Sequence, residues 1–313
     1  MAPKRRLPTL RQLEYLAALD DARHFRRAAD TLGVSQPSLS MQFSALEETL
    51  GVSLAERGRS GVTLTPVGRE ITNRARRILI DVQEVCDLAA AAGTQHGLLG
   101  TIRLGTSPTL GPYILPQIVK RLHREYPELT LYVREGLPRD LQADLLNGKH
   151  DMVLSPLPIV SDDLVITRLF LEPLYLVVAN DHELAAKSQI DVLDLAGLKV
   201  LAPAPHYHLY DQVKGICDDV GAELLRDYEG TSLDTLRHMV GMGLGVSFLP
   251  SLYVQSEIKA RGEVRALAFK GRKISRPIGI AWRKGSGTAR GFSNIAGVIR
   301  DIAKSQFENL RLL

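Results

Sequence analysis

The chain has 313 residues, 45% of them hydrophobic, with a mean hydropathy of −0.02 and only two cysteines. This composition is ordinary for a globular protein of two or three domains. It excludes a disulfide-stabilised scaffold, and no apolar run is long enough to cross a membrane. The basic first residues lack the apolar core of a secretory signal, so we expect a cytoplasmic protein that has no membrane partner.

Basic charge is concentrated near the N-terminus. Residues 1–77 contain 13 lysines and arginines against 8 acidic residues, a net charge of +5, whereas the whole chain carries +4. The remainder is therefore nearly neutral, at −1. A basic N-terminal quarter is typical of a domain that contacts nucleic-acid phosphates.

Residues 24–50 predict two helices joined by a tight turn. Apolar residues recur at helical spacing in both: Phe25, Ala28, Ala29 and Leu32, then Leu39, Phe43, Leu46 and Leu50. Gly33 suits a left-handed helix end, and Ser35 is placed as the N-cap of the second helix. This arrangement predicts a helix-turn-helix, although a hairpin that only packs a core has the same pattern.

The outer face of the second helix favours DNA contact. It lacks the charges of a solvated face, and its predicted base or phosphate contacts are Gln36, Pro37, Ser38, Ser40, Met41 and Gln42. Amides and hydroxyls hydrogen-bond to base edges in the major groove. A short basic hairpin follows, and we expect Arg57 and Arg59 to contact the DNA backbone from this wing.

A long linker helix is predicted from about residue 67 to residue 92. Its apolar residues alternate at spacings of four and three: Ile71, Ala75, Ile78, Val82, Val85 and Ala89. Such a narrow seam suits pairing with a second helix, although it also suits packing on the helix's own domain. A homodimer would bring two N-terminal helix-turn-helix domains, here called heads, to inverted half-sites of a double-stranded DNA operator.

The remaining two-thirds of the chain alternates strands and helices. Strands are predicted at 101–107, 129–135 and 151–156, with helices at 112–126 and 140–149 between them. This order indicates a parallel sheet covered by helices on both faces.

A second lobe of the same kind is predicted next. An apolar strand pair at 168–180 enters it, and a final helix at about 290–311 returns to the first lobe. The fold class is therefore α/β: an all-α winged helix-turn-helix domain, a long linker helix, and a bilobal effector domain resembling periplasmic binding proteins. Small ligands bind such folds in the cleft, at the carboxyl ends of the strands.

The predicted boundaries are 1–66 for the DNA-binding domain, 67–95 for the linker and 96–313 for the effector domain. Lobe I is expected at about 96–168 and 276–313, and lobe II at about 169–275.

The head resembles a known family. The matching motifs are Phe25-x-x-Ala28-Ala29, Val34-Ser35-Gln36-Pro37-Ser38-Leu39-Ser40, Leu46-Glu47 and Leu64-Thr65-Pro66-x-Gly68. Together they resemble the winged helix-turn-helix of LysR-type transcriptional regulators, and the resemblance extends over nearly the whole chain. It implies a DNA-binding homodimer or homotetramer controlled by a small-molecule effector. His24 departs from the family's usual Ser, and Met41 from its commonly polar or basic residue.

The effector domain resembles the OxyR-like branch of that family. The matching stretches are Thr109 to Pro116, Leu209-x-Asp211-Gln212-x-x-Gly215-x-Cys217, and Thr231 to Val240. In that branch a reactive cysteine precedes the Leu-x-Asp-Gln run and forms a disulfide with a second cysteine nine residues on. Here His208 occupies the first position and only Cys217 is retained. A lone thiol cannot form that bond, so the branch's disulfide switch is not expected.

Four interpretations of residues 206–217 remain. His206 and His208 line a cleft for a small organic effector, which is the favoured one. Alternatively, the two histidines form a metal or pH sensor, or Cys217 senses oxidants alone. The plain alternative is a surface loop beside a buried, inert cysteine.

The candidate effector contacts come from both predicted lobes: Thr106, Ser107, Thr109, His206, His208, Thr231 and Ser232. Hydroxyls and helix amides at strand ends can hold an anion, and Ser232 also suits a structural N-cap. No cofactor motif or metal site is recognised. The chain lacks HExxH, Walker A and GxSxG motifs, and its GMGLG run precedes a strand, so we predict that the protein is not an enzyme.

Overall fold

The structure is a computed structural model that describes residues 7–58, 61–91, 98, 100–226, 232–258, 262–271 and 274–313. The chain divides into two units, residues 1–90 and 91–313, which are described separately. The first unit contains α1 (Leu10–Ala22), α2 (Phe25–Thr31), α3 (Gln36–Leu50), β1 (Ala55–Gly58), β2 (Gly61–Leu64) and most of α4 (Pro66–Ala91).

The helical head is built around a core shared by α1, α2 and α3. Phe25, Ala28 and Ala29 of α2 face Leu39, Phe43 and Leu46 of α3, all of them buried. Between the helices Gly33 has a φ of +65°, the left-handed conformation that favours glycine. The antiparallel hairpin of β1 and β2 follows. The predicted helix-turn-helix and wing are confirmed.

The second unit follows the predicted alternation. Its elements are β3 (Gly100–Thr106), α5 (Gly111–Glu125), β4 (Leu129–Glu135), α6 (Pro138–Leu146), β5 (Met152–Pro156), β6 (Leu164–Ala179), β7 (Gln189–Ile190), β8 (Lys199–Leu201), α7 (His208–Val220), β9 (Glu223–Leu224), α8 (Leu233–Gly241), β10 (Val246–Pro250), α9 (Ser251–Glu257), β11 (Val264–Phe269), β12 (Ser275–Arg283), α10 (Ala289–Gln306) and β13 (Arg311–Leu312). Two 3-10 turns lie between β6 and β8, at Glu183–Ala186 and Val192–Leu195.

One long strand joins the two lobes. β6 pairs with β12 along its first half and with β10 and β11 along its second half. The sequence predicted a strand pair at 168–180, which is wrong: Leu164 to Ala179 form one continuous strand. The strand continues through Pro173 from one sheet to the other, and its pairing with β12 shifts register between Phe170 and Arg168. The two lobes are therefore joined through a continuous strand.

Each lobe has its own apolar core. In lobe I, β3 pairs in parallel with β4 and β5, and α5 and α10 cover the sheet. In lobe II, β8 pairs in parallel with β9 and β10, and α7 and α8 pack on that sheet. The GMGLG run ends α8 and leads into β10, as expected of a turn. The bilobal α/β prediction is confirmed.

Candidate DNA interface and effector cleft

Local hydrogen bonds define the start and the packing of α3, the predicted recognition helix. Ser35 accepts a hydrogen bond from the Ser38 amide (3.3 Å), and Pro37 lies in the first turn. The rings of Phe25 and Phe43 meet edge to face with centroids 5.6 Å apart, which holds α2 against α3. The helix therefore presents a fixed outer face.

That outer face holds the predicted DNA contacts. Gln36, Pro37 and Met41 are exposed, while Ser38, Ser40 and Gln42 are partly exposed. Met41 has 64% of its surface accessible, which is unusual for a large apolar side chain on a structured helix. Gln42 accepts a hydrogen bond from the Gln12 side chain (3.4 Å), so one end of its amide is already engaged. The structure places all six residues on one helix.

His24 takes the position of the family's usual Ser. Its Nδ1 accepts a hydrogen bond from the Arg26 amide (3.2 Å), and the residue is the N-cap of α2. An imidazole acceptor therefore replaces a hydroxyl at the helix end. The sequence showed this departure, but it did not reveal that His24 caps the helix.

Backbone amides of the wing and of the residue before it are hydrogen-bonded to the helices. Oε1 of Glu47 accepts a hydrogen bond from the Leu54 amide (2.7 Å), and the Val62 amide donates to the Arg23 carbonyl (2.9 Å). A Cβ on Gly68 would lie 2.0 Å from the Leu54 carbonyl oxygen, so only glycine fits there. Of the predicted wing contacts, Arg57 lies on β1 and Arg59 falls outside the described residues.

A buried arginine connects α4 to the end of α1. Arg76, whose side chain is only 9% exposed, donates to Asp20 (3.1 Å), Asp21 (2.8 Å) and the Ala17 carbonyl (3.3 Å). The two carboxylates sit in the last turn of α1, where a helix dipole disfavours negative charge. Arg76 compensates both of them and fixes α4 against the head.

The apolar seam of α4 divides into two parts. Ile71 and Ala75 pack against the head core. Further along, Ile78, Val82 and Val85 are 44%, 39% and 66% exposed. The second part therefore presents apolar side chains at coiled-coil spacing to solvent.

In the second unit, a cleft of about 420 Å³ lies between the lobes. One wall is formed by Pro156, Leu157, Pro158 and Pro277, and the other by the first turn of α7: His208, Leu209, Asp211 and Gln212. Arg276 also lines the cleft. The Gln212 side chain donates to the Ser275 carbonyl (2.9 Å), which ties α7 to the first residue of β12.

Arg276 is the centre of a buried polar network. It is 3% exposed and forms an ion pair with Glu172 (2.8 Å), which is fully buried on β6. It also donates to Oγ1 of Thr109 (2.9 Å) and to the Thr109 carbonyl (2.8 Å). Glu172 accepts the Leu252 amide (3.0 Å) with its other oxygen. The network joins strands β6 and β12 to the base of the cleft.

The three predicted hydroxyl contacts of lobe I are buried. Thr109 is bonded to Arg276, and its hydroxyl lies 3.0 Å from that of Ser107. Thr106 and Ser107 have no exposed surface, and the Thr106 hydroxyl has no hydrogen-bond partner within the described part of the chain. Thr109 therefore reaches the cleft through Arg276, whereas Thr106 and Ser107 lie deeper.

The predicted contacts of lobe II are dispersed. His208 lines the cleft, and burial lowers its pKa, partly offset by Asp211. His206 is exposed and its ring lies 5.0 Å from that of Tyr207. Ser232 is the N-cap residue of α8, as predicted, but its side chain makes no capping hydrogen bond. Thr231 falls outside the described residues.

Cys217 belongs to the core of lobe II. It is 1% exposed among Leu209, Val213 and their neighbours, and burial raises the pKa of its thiol to about 11. A protonated thiol is a poor nucleophile. The other cysteine, Cys86, is exposed on α4.

Sequence reasoning missed Arg276 and Glu172 as parts of the site. The two residues are 104 positions apart, and Thr109 is 167 positions from Arg276. No local motif links them. The one available signal was a charged residue within each of two apolar strands, because such charges are rarely buried without a partner.

Family models match both units. The model described as "Bacterial regulatory helix-turn-helix protein, lysR family" matches residues 10–69, and the "LysR substrate binding domain" matches residues 95–301. The second match alone covers more than half of the chain. The protein therefore belongs to the LysR family of bacterial regulators.

Individual relatives point to one branch of this family. The chain is 38% identical over 301 residues to the DNA-binding transcriptional dual regulator OxyR of Escherichia coli K12, covering 96% of this chain and 98% of the relative. It is 37% identical to the hydrogen peroxide-inducible genes activator of Pectobacterium carotovorum, with 96% and 99% covered. A full-length cysteine variant of OxyR from Pseudomonas aeruginosa superposes with a TM-score of 0.80 at 36% identity, over 94% of this chain and 95% of that one.

These matches establish the class of function. The protein is a LysR-type DNA-binding transcriptional regulator with an effector-binding domain, and it is not an enzyme. Among the described helices, none is long and apolar enough to span a membrane.

Proposed function

We propose that this regulator responds to a small molecule bound between its two lobes, rather than to oxidation of a cysteine pair. The observation that carries the proposal is the cleft itself: His208 and Arg276 line a space of about 420 Å³ at the junction of the lobes. A ligand that contacts both walls stabilises one arrangement of the lobes over others, which is how binding shifts a conformational equilibrium.

The chemistry of the cleft favours a compact polar effector with a hydrogen-bond acceptor. A guanidinium has five N–H donors. Arg276 uses one donor each on Nε, Nη1 and Nη2 in its hydrogen bonds with Glu172 and Thr109, which leaves a second N–H on Nη1 for a ligand. His208 is neutral near pH 7 because its pKa is lowered, so its ring offers one donor and one acceptor. The proline side chains supply apolar walls.

The oxidant-sensing alternative is less well supported. The relatives are named hydrogen peroxide-inducible genes activators, but here His208 replaces the first cysteine of that branch. The remaining Cys217 is buried and its thiol has a raised pKa.

For the metal-sensing alternative, no third ligand joins His206 and His208 among the residues that the structure describes.

We propose residues 1–66 as the DNA-binding domain, 67–95 as the linker and 96–313 as the effector domain. The exposed seam of Ile78, Val82 and Val85 supports a homodimer formed through α4, with tetramers formed from dimers. Two heads would place the outer faces of their α3 helices in successive major grooves of an operator with inverted half-sites.

The DNA-binding part of the proposal is tested by selecting fragments of bacterial genomic DNA, from the source organism where known, with the purified protein at physiological salt. A few enriched sites with inverted half-sites are expected, and the genes beside them indicate compounds to test as effectors. Diffuse, salt-sensitive binding without a shared motif would contradict the proposed base contacts.

The base contacts are tested on the selected operator with Gln36→Ala. This change should reduce discrimination between the operator and a mutated half-site, because an amide reads base edges. Glu48→Ala, on an exposed position of the same helix, is the matched control and should leave discrimination unchanged. An equal loss of affinity for every DNA sequence would assign Gln36 to the phosphates instead.

A further inference from the structure

A second cavity of about 340 Å³ lies in lobe I, separate from the cleft between the lobes. It is formed by the end of β4, by α6 and by His150, two residues before β5. The lining residues are Arg134, Glu135, Gly136, Asp140, Leu141, Ala143, Asp144 and His150. None of these residues lines the cleft that holds His208 and Arg276. We call it the α6 groove.

His150 is built into the floor of the α6 groove. The residue is 2% exposed, and neither ring nitrogen has a hydrogen-bond partner within the described chain. A Cβ added to Gly105 would lie 2.8 Å from the imidazole Cδ2, so the ring occupies space that glycine leaves open. A buried polar group without a partner is costly, so such a group calls for a ligand.

The surroundings of His150 favour a cation over an anion. Glu135, Asp140 and Asp144 all line the groove, against one arginine, Arg134. Lys149 lies 3.3 Å from Asp144 and offsets part of that charge. Burial lowers the pKa of His150; Asp144 and Asp151 raise it, and Arg134 and Arg103 lower it. The net pKa is lowered, so the ring is neutral near pH 7 and one nitrogen is an acceptor.

We propose that the α6 groove binds the primary ammonium group of a small organic amine. Nε2 of His150 and Oδ2 of Asp144 are 4.0 Å apart, which is too long for a hydrogen bond between them. An ammonium nitrogen about 2.9 Å from each atom would donate one N–H to the imidazole and one to the carboxylate. The carboxylates of Glu135 and Asp140 also line the groove and add negative charge to it.

A metal ion fits the same groove less well. No group of three His, Cys, Asp or Glu side chains with metal-binding geometry occurs in the described chain. An ammonium group needs only acceptors at hydrogen-bond distance, which His150 and Asp144 supply together.

The test is isothermal titration calorimetry of the full chain with 1,4-diaminobutane, using 1,4-butanediol as the uncharged match. We expect saturable binding of one diamine per chain and no binding of the diol. Asp144→Asn keeps the side-chain shape and should weaken binding about tenfold, because a charge-assisted hydrogen bond is lost. Asp218→Asn removes a carboxylate from an exposed Lys–Asp pair on α7 and should bind as the unmodified protein does.

A second readout remains informative if Asp144→Asn folds poorly. With 15N-labelled histidine, the diamine should shift the ring nitrogen signals of His150, which are identified by their absence in His150→Leu. Unshifted His150 signals, or equal weakening by Asp144→Asn and Asp218→Asn, would overturn the proposal and indicate only a diffuse ionic attraction. Saturable binding of Zn²⁺ that requires His150, without binding of the diamine, would also overturn it.

Discussion

The DNA-binding head and the effector cleft are held together by contacts of different range. In the head, helix ends are set within three residues, as in the bond from the Ser38 amide to Ser35. At the cleft, the central ion pair joins Glu172 and Arg276 across 104 positions. The structure of the head can therefore be predicted from local sequence. The cleft depends on paired strands that bring residues distant in sequence together.

The same difference predicts how the two regions respond to substitution. Contacts near the surface of the head contribute modestly to the free energy of unfolding, because water competes for their partners. The network at the cleft is almost completely buried, so removing one member leaves the other uncompensated. Loss of a single cleft residue should therefore cost more than loss of a single cap or clamp in the head.

The largest effect is expected for Arg276→Met. The fully buried Glu172 carboxylate would lose its ion pair, which should lower the unfolding free energy of the effector domain by about 3–5 kcal/mol. Urea denaturation of the full chain measures this change. Lys214→Met removes an exposed pair with Asp218 and should cost no more than about 1 kcal/mol. Similar losses in both variants would show that the buried ion pair contributes no more to the unfolding free energy than the exposed pair does.

A smaller effect is expected for Arg76→Met in the head. Asp20 and Asp21 would lose their partner at the end of α1, at a cost of about 2 kcal/mol, because both carboxylates are partly solvated. The matched control is Arg74→Met, two residues away, whose exposed pair with Glu70 contributes little. Thermal unfolding should give a lower midpoint for Arg76→Met than for Arg74→Met. Equal midpoints would contradict a stabilising role for the contacts of Arg76 with Asp20 and Asp21.

The two serine N-caps sharpen the comparison further. Ser35→Ala should destabilise the head by about 1 kcal/mol, because the Ser38 amide loses its acceptor. Ser232→Ala should have almost no effect, because the Ser232 side chain caps no amide. Chemical denaturation of both variants provides the measurement. A loss at Ser232 as large as that at Ser35 would mean that its hydroxyl has a partner in solution.

The smallest effect concerns pH. Burial lowers the pKa of His208 and of His150 in the folded chain, so the unfolded chain binds more protons than the folded chain just below neutral pH. Stability is therefore fully present above the unfolded pKa and falls as the pH drops through the folded pKa. The effector domain should be less stable at pH 6 than at pH 7.5, and His208→Asn should reduce that difference. An unchanged difference would assign the pH dependence to other groups.

The sequence predicted most of the fold and only part of the cleft. Periodicity located α3 and its cap, and the alternation of strands and helices predicted the parallel sheet of lobe I. The same reasoning divided β6 into two strands, because apolar periodicity does not reveal whether a strand turns or continues. It placed His208 among the candidate contacts but missed Arg276, because burial of a charge depends on a partner that sequence spacing does not reveal.

The most direct test of the central claim is a footprint of the selected operator by the unmodified protein and by Cys217→Ser, with and without hydrogen peroxide. The account predicts that the two proteins give the same footprint, and that any effect of peroxide is the same in both. The reason is that the Cys217 thiol is buried and protonated. A peroxide-dependent footprint that disappears in Cys217→Ser would contradict the account and assign oxidant sensing to the single cysteine of the effector domain.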